Sequence, residues 1–216
     1  MFIGHIAVAL AAKHVAPRAS LGTLVAAAML PDIVWPVLVL VGVEQVAIHP
    51  GDTAFTPLNF VSYPWSHSLL LVALTGVLAG LVYATRTKYF AGALIIPVLA
   101  ISHWVLDWLT HRPDLPLLPG GALYGLGLWN SIPGTLIIEG GLFAACVSSY
   151  ARLTQAQDRI GLYGYWSLIV FLVAIYAGNL FGPPPPSDRA VAAVCIAGAA
   201  LLYAWTNWAD RHRRFR

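Results

Sequence analysis

Three ionisable side chains stand four residues apart in the stretch SHWVLDWLTH, at His103, Asp107 and His111. Residues at positions i and i+4 of a helix project from the same face, one turn apart. A histidine and an aspartate placed in this way can bind one divalent cation. A buried His–Asp hydrogen bond at a contact between helices is the simpler alternative, since it needs no metal.

The composition of the chain indicates where this helix lies. The 216 residues are 59% hydrophobic and only 10% charged, whereas a soluble domain is about a quarter charged. The apolar runs leave no room for a separate soluble domain, so we predict a single transmembrane domain over residues 1–216. The basic residues lie at segment ends and in the tail RHRRFR, a distribution that argues against a nucleic-acid partner.

Six apolar runs approach the length of about 20 residues that a spanning helix needs. They lie at roughly 20–42, 67–85, 89–110, 133–151, 162–181 and 189–208. The opening run, 2–12, is too short to span and predicts a short or half-inserted helix. The expected fold is therefore an all-α polytopic membrane helix bundle, with six full spanning helices and a short N-terminal helix.

The basic residues predict the orientation. If the chain crosses the membrane at every run, ten of its 12 lysines and arginines share one side, and only Arg112 and Arg189 lie on the other. The positive-inside rule makes the first side cytoplasmic. We therefore expect a cytoplasmic C-terminus and outer connections at 43–66 and 111–132.

The rise of about 1.5 Å per helical residue converts sequence position into depth in the membrane. By this count, several ionisable groups lie at a similar depth. His103 and Asp107 come out about 21 and 27 Å above the inner edge of a hydrocarbon core about 30 Å thick. His5 is the exception, at about 12 Å above Lys13. The remaining groups that share the outer half of the membrane are Asp32, His67 and Glu139. Ionisable residues inside a membrane usually mark a functional cavity, so we predict one site.

The residue types at this level indicate the chemistry. Imidazole and carboxylate ligands without thiolates favour zinc, with manganese or iron as alternatives. Such a cation lowers the pKa of bound water and polarises a carbonyl or phosphoryl oxygen, which is suited to hydrolysis. Two of the ligands also have structural interpretations: Asp32 could satisfy backbone opened by Pro31, and His67 could cap its helix.

Four motifs in order resemble the bacterial membrane-bound metal-dependent hydrolases, inner-membrane proteins whose His and Asp pattern is similar to zinc-dependent phospholipase C. The motifs are Gly4-His5, Pro31-Asp32, Ser66-His67-Ser68-Leu69, and His103 to Asp107. The resemblance implies metal ligands at His5, Asp32, His67, His103 and Asp107. It also makes Glu139 a plausible base or further ligand, and we place His111 nearby as a partner or acid.

The sequence departs from this family where many members have H-R-G-x-T-H-S. This chain has Tyr63-Pro64-Trp65-Ser66-His67-Ser68 instead, without an arginine that could hold a phosphate. Arg112, in the outer connection, could supply that cation. Glu139 could alternatively pair with Arg112 near the surface.

These observations predict a metal-dependent hydrolase acting on an ester or phosphoester of a lipid or lipid-linked, amphiphilic substrate. A transporter in which the same histidines and carboxylates form an ion or proton relay is an alternative. A structural membrane protein held by polar helix contacts is another. Coordinates that spread these groups over separate faces would remove both the hydrolase and the relay.

Overall fold

A computed structural model describes all 216 residues and shows a helical bundle. Its helices are α1 (Ile3–Ala12), α2 (Leu21–Ala28), α3 (Leu30–Leu40), α4 (Pro64–His67), α5 (Leu69–Thr87), α6 (Phe90–Thr110), α7 (Ile132–Thr135), α8 (Gly141–Leu153), α9 (Arg159–Phe181) and α10 (Asp188–Arg211). A π turn, Leu136–Gly140, joins α7 to α8, so that 132–153 is one apolar helical stretch. Five stretches of 19 to 24 residues are long and apolar enough to cross a membrane, and the pair α2 and α3 makes a sixth. The predicted fold is confirmed.

The sixth span is broken at Met29. Helices α2 and α3 meet there at an angle of 58°, and Met29 itself leaves the helical region, with φ −100° and ψ 11°. Pro31 follows in the first turn of α3, where a missing backbone N–H costs little, whereas inside a continuous helix it would remove a hydrogen bond. The break places Asp32 at the start of a helix in the interior of the span.

Helix α1 lies inside the bundle although it is too short to span. Eight of its ten residues are buried, and Ile6, Leu10 and Leu24 share the same apolar core with residues of α8 and α9. The apolar side chains of α1 therefore pack against other helices and not against lipid. This position brings His5, near its N-terminal end, to Asp107 in the last turn of α6.

Helix α6, which carries the SHWVLDWLTH stretch, packs closely against α5. Gly76 and Gly80 of α5 face it, and a Cβ atom at Gly80 would lie only 2.6 Å from the Ala93 carbonyl oxygen. Small residues four apart allow such close contact between helices in a membrane. The contact fixes the position of α6 in the bundle.

Short strands close the two ends of the bundle. At one end, β5 (Thr154–Ala156) pairs with β6 (Arg213–Phe215) of the basic tail. At the other end, two antiparallel pairs are formed by the connections 41–63 and 111–131. These pairs are β1 (Gln45–Ile48) with β2 (Leu58–Ser62), and β3 (Leu115–Pro116) with β4 (Leu123–Tyr124). The polar residues of α6 lie at this second end, in its last two turns.

Candidate functional site

The structure brings the five predicted ligands together. Their donor atoms form two overlapping trios in which all atoms lie within 4.8 Å of one another. One trio is His5, His103 and Asp107, and the other is Asp32, His67 and His103. The side chain of Asp32 is 34% exposed and the other four are at most 3% exposed. Four elements supply the residues: α1, α3, α4 and α6.

The backbone orients His103, the residue shared by both trios. Its Nδ1 lies 2.8 Å from the carbonyl oxygen of Ala28, at the end of α2. A carbonyl only accepts, so this contact places a proton on Nδ1, and in the neutral ring the lone pair is on Nε2. That Nε2 lies 3.0 Å from Asp107 Oδ2 and 3.7 Å from Asp32 Oδ1, yet it has no hydrogen-bond partner. The neutral ring thus buries a lone pair against two carboxylates.

His67 approaches the same carboxylates from α4. Its Nε2 lies 3.5 Å from Asp32 Oδ1 and 3.9 Å from Asp107 Oδ2. Together with the two contacts of His103, these histidine–carboxylate distances are 3.0 to 3.9 Å. In a tetrahedral zinc site with bonds near 2.0–2.1 Å, ligand atoms lie roughly 3.3–3.4 Å apart. The four nitrogen–oxygen distances are close to that spacing, and Asp32 and Asp107 belong to different trios that share His103.

The second oxygen of Asp107 faces α1. Asp107 Oδ1 lies 3.0 Å from His5 Nε2 and also accepts a hydrogen bond from the amino group of Met1. The His5 ring stacks on that of His103, with centroids 3.7 Å apart and planes 10° from parallel. In this structure His5 holds a carboxylate that faces the other two imidazoles.

The depth count placed His5 well below the other groups, and the structure shows it in contact with Asp107 instead. That count took Lys13 as the membrane boundary. Lys13 is only 3% exposed and pairs with Asp210 at 2.8 Å within the bundle, so its position is set by that ion pair and not by the lipid–water interface. Depth counted from Lys13 therefore does not predict the contact of His5 with Asp107.

Glu139 is fully buried in the π turn, outside both trios. Its Oε1 accepts the Gly4 amide at 3.1 Å and its Oε2 accepts the Tyr176 hydroxyl at 3.3 Å. Single π turns inside α-helices often occur at functional sites. The carboxylate therefore lies beside the N-terminal end of α1, with one lone pair of each oxygen not engaged by these bonds.

Arg112 does not pair with Glu139. Its guanidinium donates to both oxygens of Asp52, at 2.6 and 2.7 Å, and to Asn59 Oδ1 at 2.6 Å. The arginine thus ties together the two connections above the site. Engaged in this way, it does not present a free cation to a phosphate.

His111 follows the last turn of α6 and is held through its Nδ1 atom. Its Nδ1 lies 3.1 Å from Asp114 Oδ1 and 3.1 Å from the Tyr63 hydroxyl, which itself donates to Asp114. Burial, together with the neighbouring Asp114 charge, raises the pKa of the Tyr63 phenol well above its usual value. The opposite ring nitrogen of His111 lies 3.9 Å from Asp107 Oδ1. His111 is thus oriented toward the cluster by a carboxylate.

Sequence reasoning missed the residues that support the histidines. Asp114 lies three residues after His111 in HRPD, a spacing that could have suggested it. Glu44, which is 1% exposed and bonds to Ser66 beside His67, carries no such local signal.

The family model described as YdjM inner membrane protein matches residues 1–209 of the chain. No curated protein and no solved structure matches the chain. The match agrees with the inner-membrane location that the sequence resemblance implied and with the five or six apolar spans. Its description mentions neither a metal nor a reaction, so metal-dependent hydrolysis stays a prediction.

Proposed function

The chain belongs to the YdjM inner membrane protein family. From the geometry of its His and Asp cluster, we propose a metal-dependent hydrolase that acts on a lipid or lipid-linked ester or phosphoester. One observation carries the proposal: the Nε2 atoms of His67 and His103 face Asp32 and Asp107 inside a bundle of apolar helices. Groups that only accept hydrogen bonds repel one another at such distances unless a proton or a cation lies between them.

The geometry and the charge both favour a divalent cation. Asp32 and Asp107 together carry two negative charges when ionised, and the Met1 amino group compensates part of the charge on Asp107 from the α1 side. A divalent cation on the side of the two imidazoles would neutralise the rest. Two imidazoles and two carboxylates suit zinc first, and manganese or iron next. His5, which is bonded to Asp107, would hold that carboxylate or complete the ligand set.

When bound, such a cation would supply Lewis acidity toward an ester or phosphoester oxygen and make water acidic enough to attack near neutral pH. His111 would then take up the proton of the attacking water through Nε2, while Asp114 holds the protonated ring in place. Glu139 is the second candidate for this proton transfer, since it is a buried carboxylate beside the N-terminal end of α1.

The exposure of the site supports an amphiphilic substrate. Asp32 is the one proposed ligand with substantial exposure, and its helix α3 lies within the broken span. A bond to be cleaved would reach the cluster from this side, so a molecule that resides in the membrane has the shorter path. With the basic tail placed in the cytoplasm, as the charge distribution predicts, the site opens toward the outer half of the membrane.

The proposal is tested by metal content and activity of the purified protein. Mass spectrometry of the detergent-solubilised wild type should find about one zinc or manganese per chain, and the double variant His103→Ala, Asp107→Ala should lose it. His49, an exposed histidine outside the cluster, provides the control variant His49→Ala, which should retain the metal.

Hydrolysis of lipid esters and phosphoesters should follow the same pattern, with activity in wild type and His49→Ala only. If the wild type holds no metal even after zinc is supplied, or if His103→Ala keeps full hydrolytic activity, the proposal is wrong. A hydrogen-bonded helix contact or an ion relay would then explain the cluster.

A further inference from the structure

A buried carboxylate outside the membrane-spanning helices is connected to His67 by a chain of hydrogen bonds. Glu44 lies in the connection after α3 and is 1% exposed. Its Oε1 accepts the backbone amides of Trp65 and Ser66 at 2.8 and 2.9 Å, and its Oε2 accepts the Ser66 hydroxyl at 2.6 Å. The Ser66 oxygen in turn lies 2.7 Å from His67 Nδ1. The carboxylate is therefore linked to the imidazole through one hydroxyl.

The direction of each bond in this chain follows from what each group can do. A carboxylate only accepts, so the single hydroxyl hydrogen of Ser66 points to Glu44. The other acceptor near that hydroxyl, the Tyr63 carbonyl, is 3.5 Å away and cannot compete. The Ser66 oxygen must then accept from His67, which places the imidazole proton on Nδ1. In the neutral ring, the form that binds a metal, the lone pair of His67 lies on Nε2, the atom that faces Asp32 and Asp107.

We propose that Glu44 is a positioning residue of the metal site: acting through Ser66, it fixes the tautomer and the ring orientation in which His67 presents Nε2 to a cation. The inference rests on the proposed function, because it needs a metal for His67 to bind. Carboxylates that hold the non-ligating nitrogen of a metal-bound histidine fix its tautomer and raise its basicity. Here a serine hydroxyl is interposed between the two groups.

Glu44 also accepts hydrogen bonds from backbone amides of α4, and this structural role can be tested apart from its link to His67. The bonds to the Trp65 and Ser66 amides need only Oε1, whereas the chain to His67 needs Oε2 and the Ser66 hydroxyl. Removing the hydroxyl therefore tests the link to His67 and leaves the two backbone bonds in place. Ser68 offers a matched control because it is fully buried on the other side of His67 and its hydroxyl has no partner.

The substitution Glu44→Gln reverses the chain. The glutamine carbonyl must take the position of Oε1, where two backbone amides donate, so its NH2 group faces Ser66. Ser66 then accepts from the amide and donates to His67 Nδ1, which moves the imidazole proton to Nε2. The lone pair that should bind the cation is lost. Glu44→Gln should thus be at least as damaging as Ser66→Ala.

The experiment measures zinc affinity of full-length protein in detergent by competition with a chelator. Ser66→Ala and Glu44→Gln should weaken zinc binding by about 10- to 100-fold. Ser68→Ala should bind zinc as wild type does, and Ser66→Thr, which keeps a hydroxyl, should retain the wild-type affinity. Thermal midpoints of the metal-free proteins identify any variant that fails to fold. Long-range ¹H–¹⁵N spectra should show the His67 proton on Nδ1 in wild type and on Nε2 in Glu44→Gln.

The outcomes distinguish this inference from the proposed function. Wild-type protein that binds no zinc would overturn the metal site and, with it, the role of Glu44. Wild type that binds zinc, with folded Ser66→Ala and Glu44→Gln variants that bind it equally well, would leave the metal site standing and overturn the inference alone.

Discussion

The buried ion pair at the end opposite the site predicts a large loss of stability for Asp210→Ala. Asp210 Oδ2 accepts from Lys13 Nζ at 2.8 Å and from the Leu21 amide at 2.9 Å, and Oδ1 accepts the Tyr150 hydroxyl at 2.6 Å. The Lys13 and Asp210 side chains are only 4% and 12% exposed. One carboxylate thus joins residues of α10, the α1–α2 region and α8.

Removing one partner of a buried ion pair costs about 3–5 kcal/mol, because the remaining charge stays buried without compensation. Lys13 would keep its bond to the Ala19 carbonyl at 2.8 Å. We therefore expect a loss near the lower end, about 3 kcal/mol. Asp210→Asn keeps an acceptor without the charge and should cost less, about 1–2 kcal/mol.

Reversible unfolding in mixed detergent micelles measures these differences. Asp188→Ala is the control, since Asp188 is exposed at the start of the same helix and should lie within about 0.5 kcal/mol of wild type. The double variant Lys13→Met, Asp210→Ala also removes the uncompensated Lys13 charge and should recover part of the loss, while the Leu21 amide and the Tyr150 hydroxyl stay without their acceptor. If Asp210→Ala unfolds like wild type, or if the double variant is no more stable than the single one, the ion pair does not stabilise this end of the bundle.

Two further predictions concern the contact that positions α6 and the connections above the site. Gly80→Ala places a Cβ atom 2.6 Å from the Ala93 carbonyl oxygen and should destabilise the protein in micelles by about 1–3 kcal/mol. Gly178→Ala, with nothing within 4 Å of its new Cβ, should cause no loss, and equal stability of the two variants would contradict the packing argument. Arg112→Ala removes the two hydrogen bonds to Asp52. It should lower the free energy of local unfolding of the connection 41–63 by about 1 kcal/mol, which corresponds to about fivefold faster protease cleavage there. An unchanged cleavage rate would show that the arginine does not hold it.

Features that depend on length and hydrophobicity could be predicted from the sequence. The spans follow from apolar runs that only a membrane or a dry core accommodates. The break at Met29 follows from Pro31, although the angle of 58° does not. The i, i+4 spacing placed His103 and Asp107 on one face of α6, and the structure has them 3.0 Å apart.

Features that depend on how helices pack could not be read in this way. His5 was assigned a depth from Lys13, and that residue is buried in an ion pair instead of marking the boundary. Glu44 bonds to Ser66 across a separation of 22 residues that includes the β1–β2 pair, and no sequence periodicity predicts such a bond. Asp114 has a short spacing to His111, but its role depends on the fold of the connection around Tyr63.

X-ray absorption at the zinc edge of the zinc-loaded wild-type protein shows which atoms bind the metal. We expect a first shell of nitrogen and oxygen atoms at about 2.0–2.1 Å with the outer-shell scattering of imidazole, and no sulfur near 2.3 Å. Imidazole scattering should weaken in His103→Gln. A shell of oxygen alone, a sulfur shell, or a spectrum unchanged by His103→Gln would contradict a metal bound between His67, His103, Asp32 and Asp107.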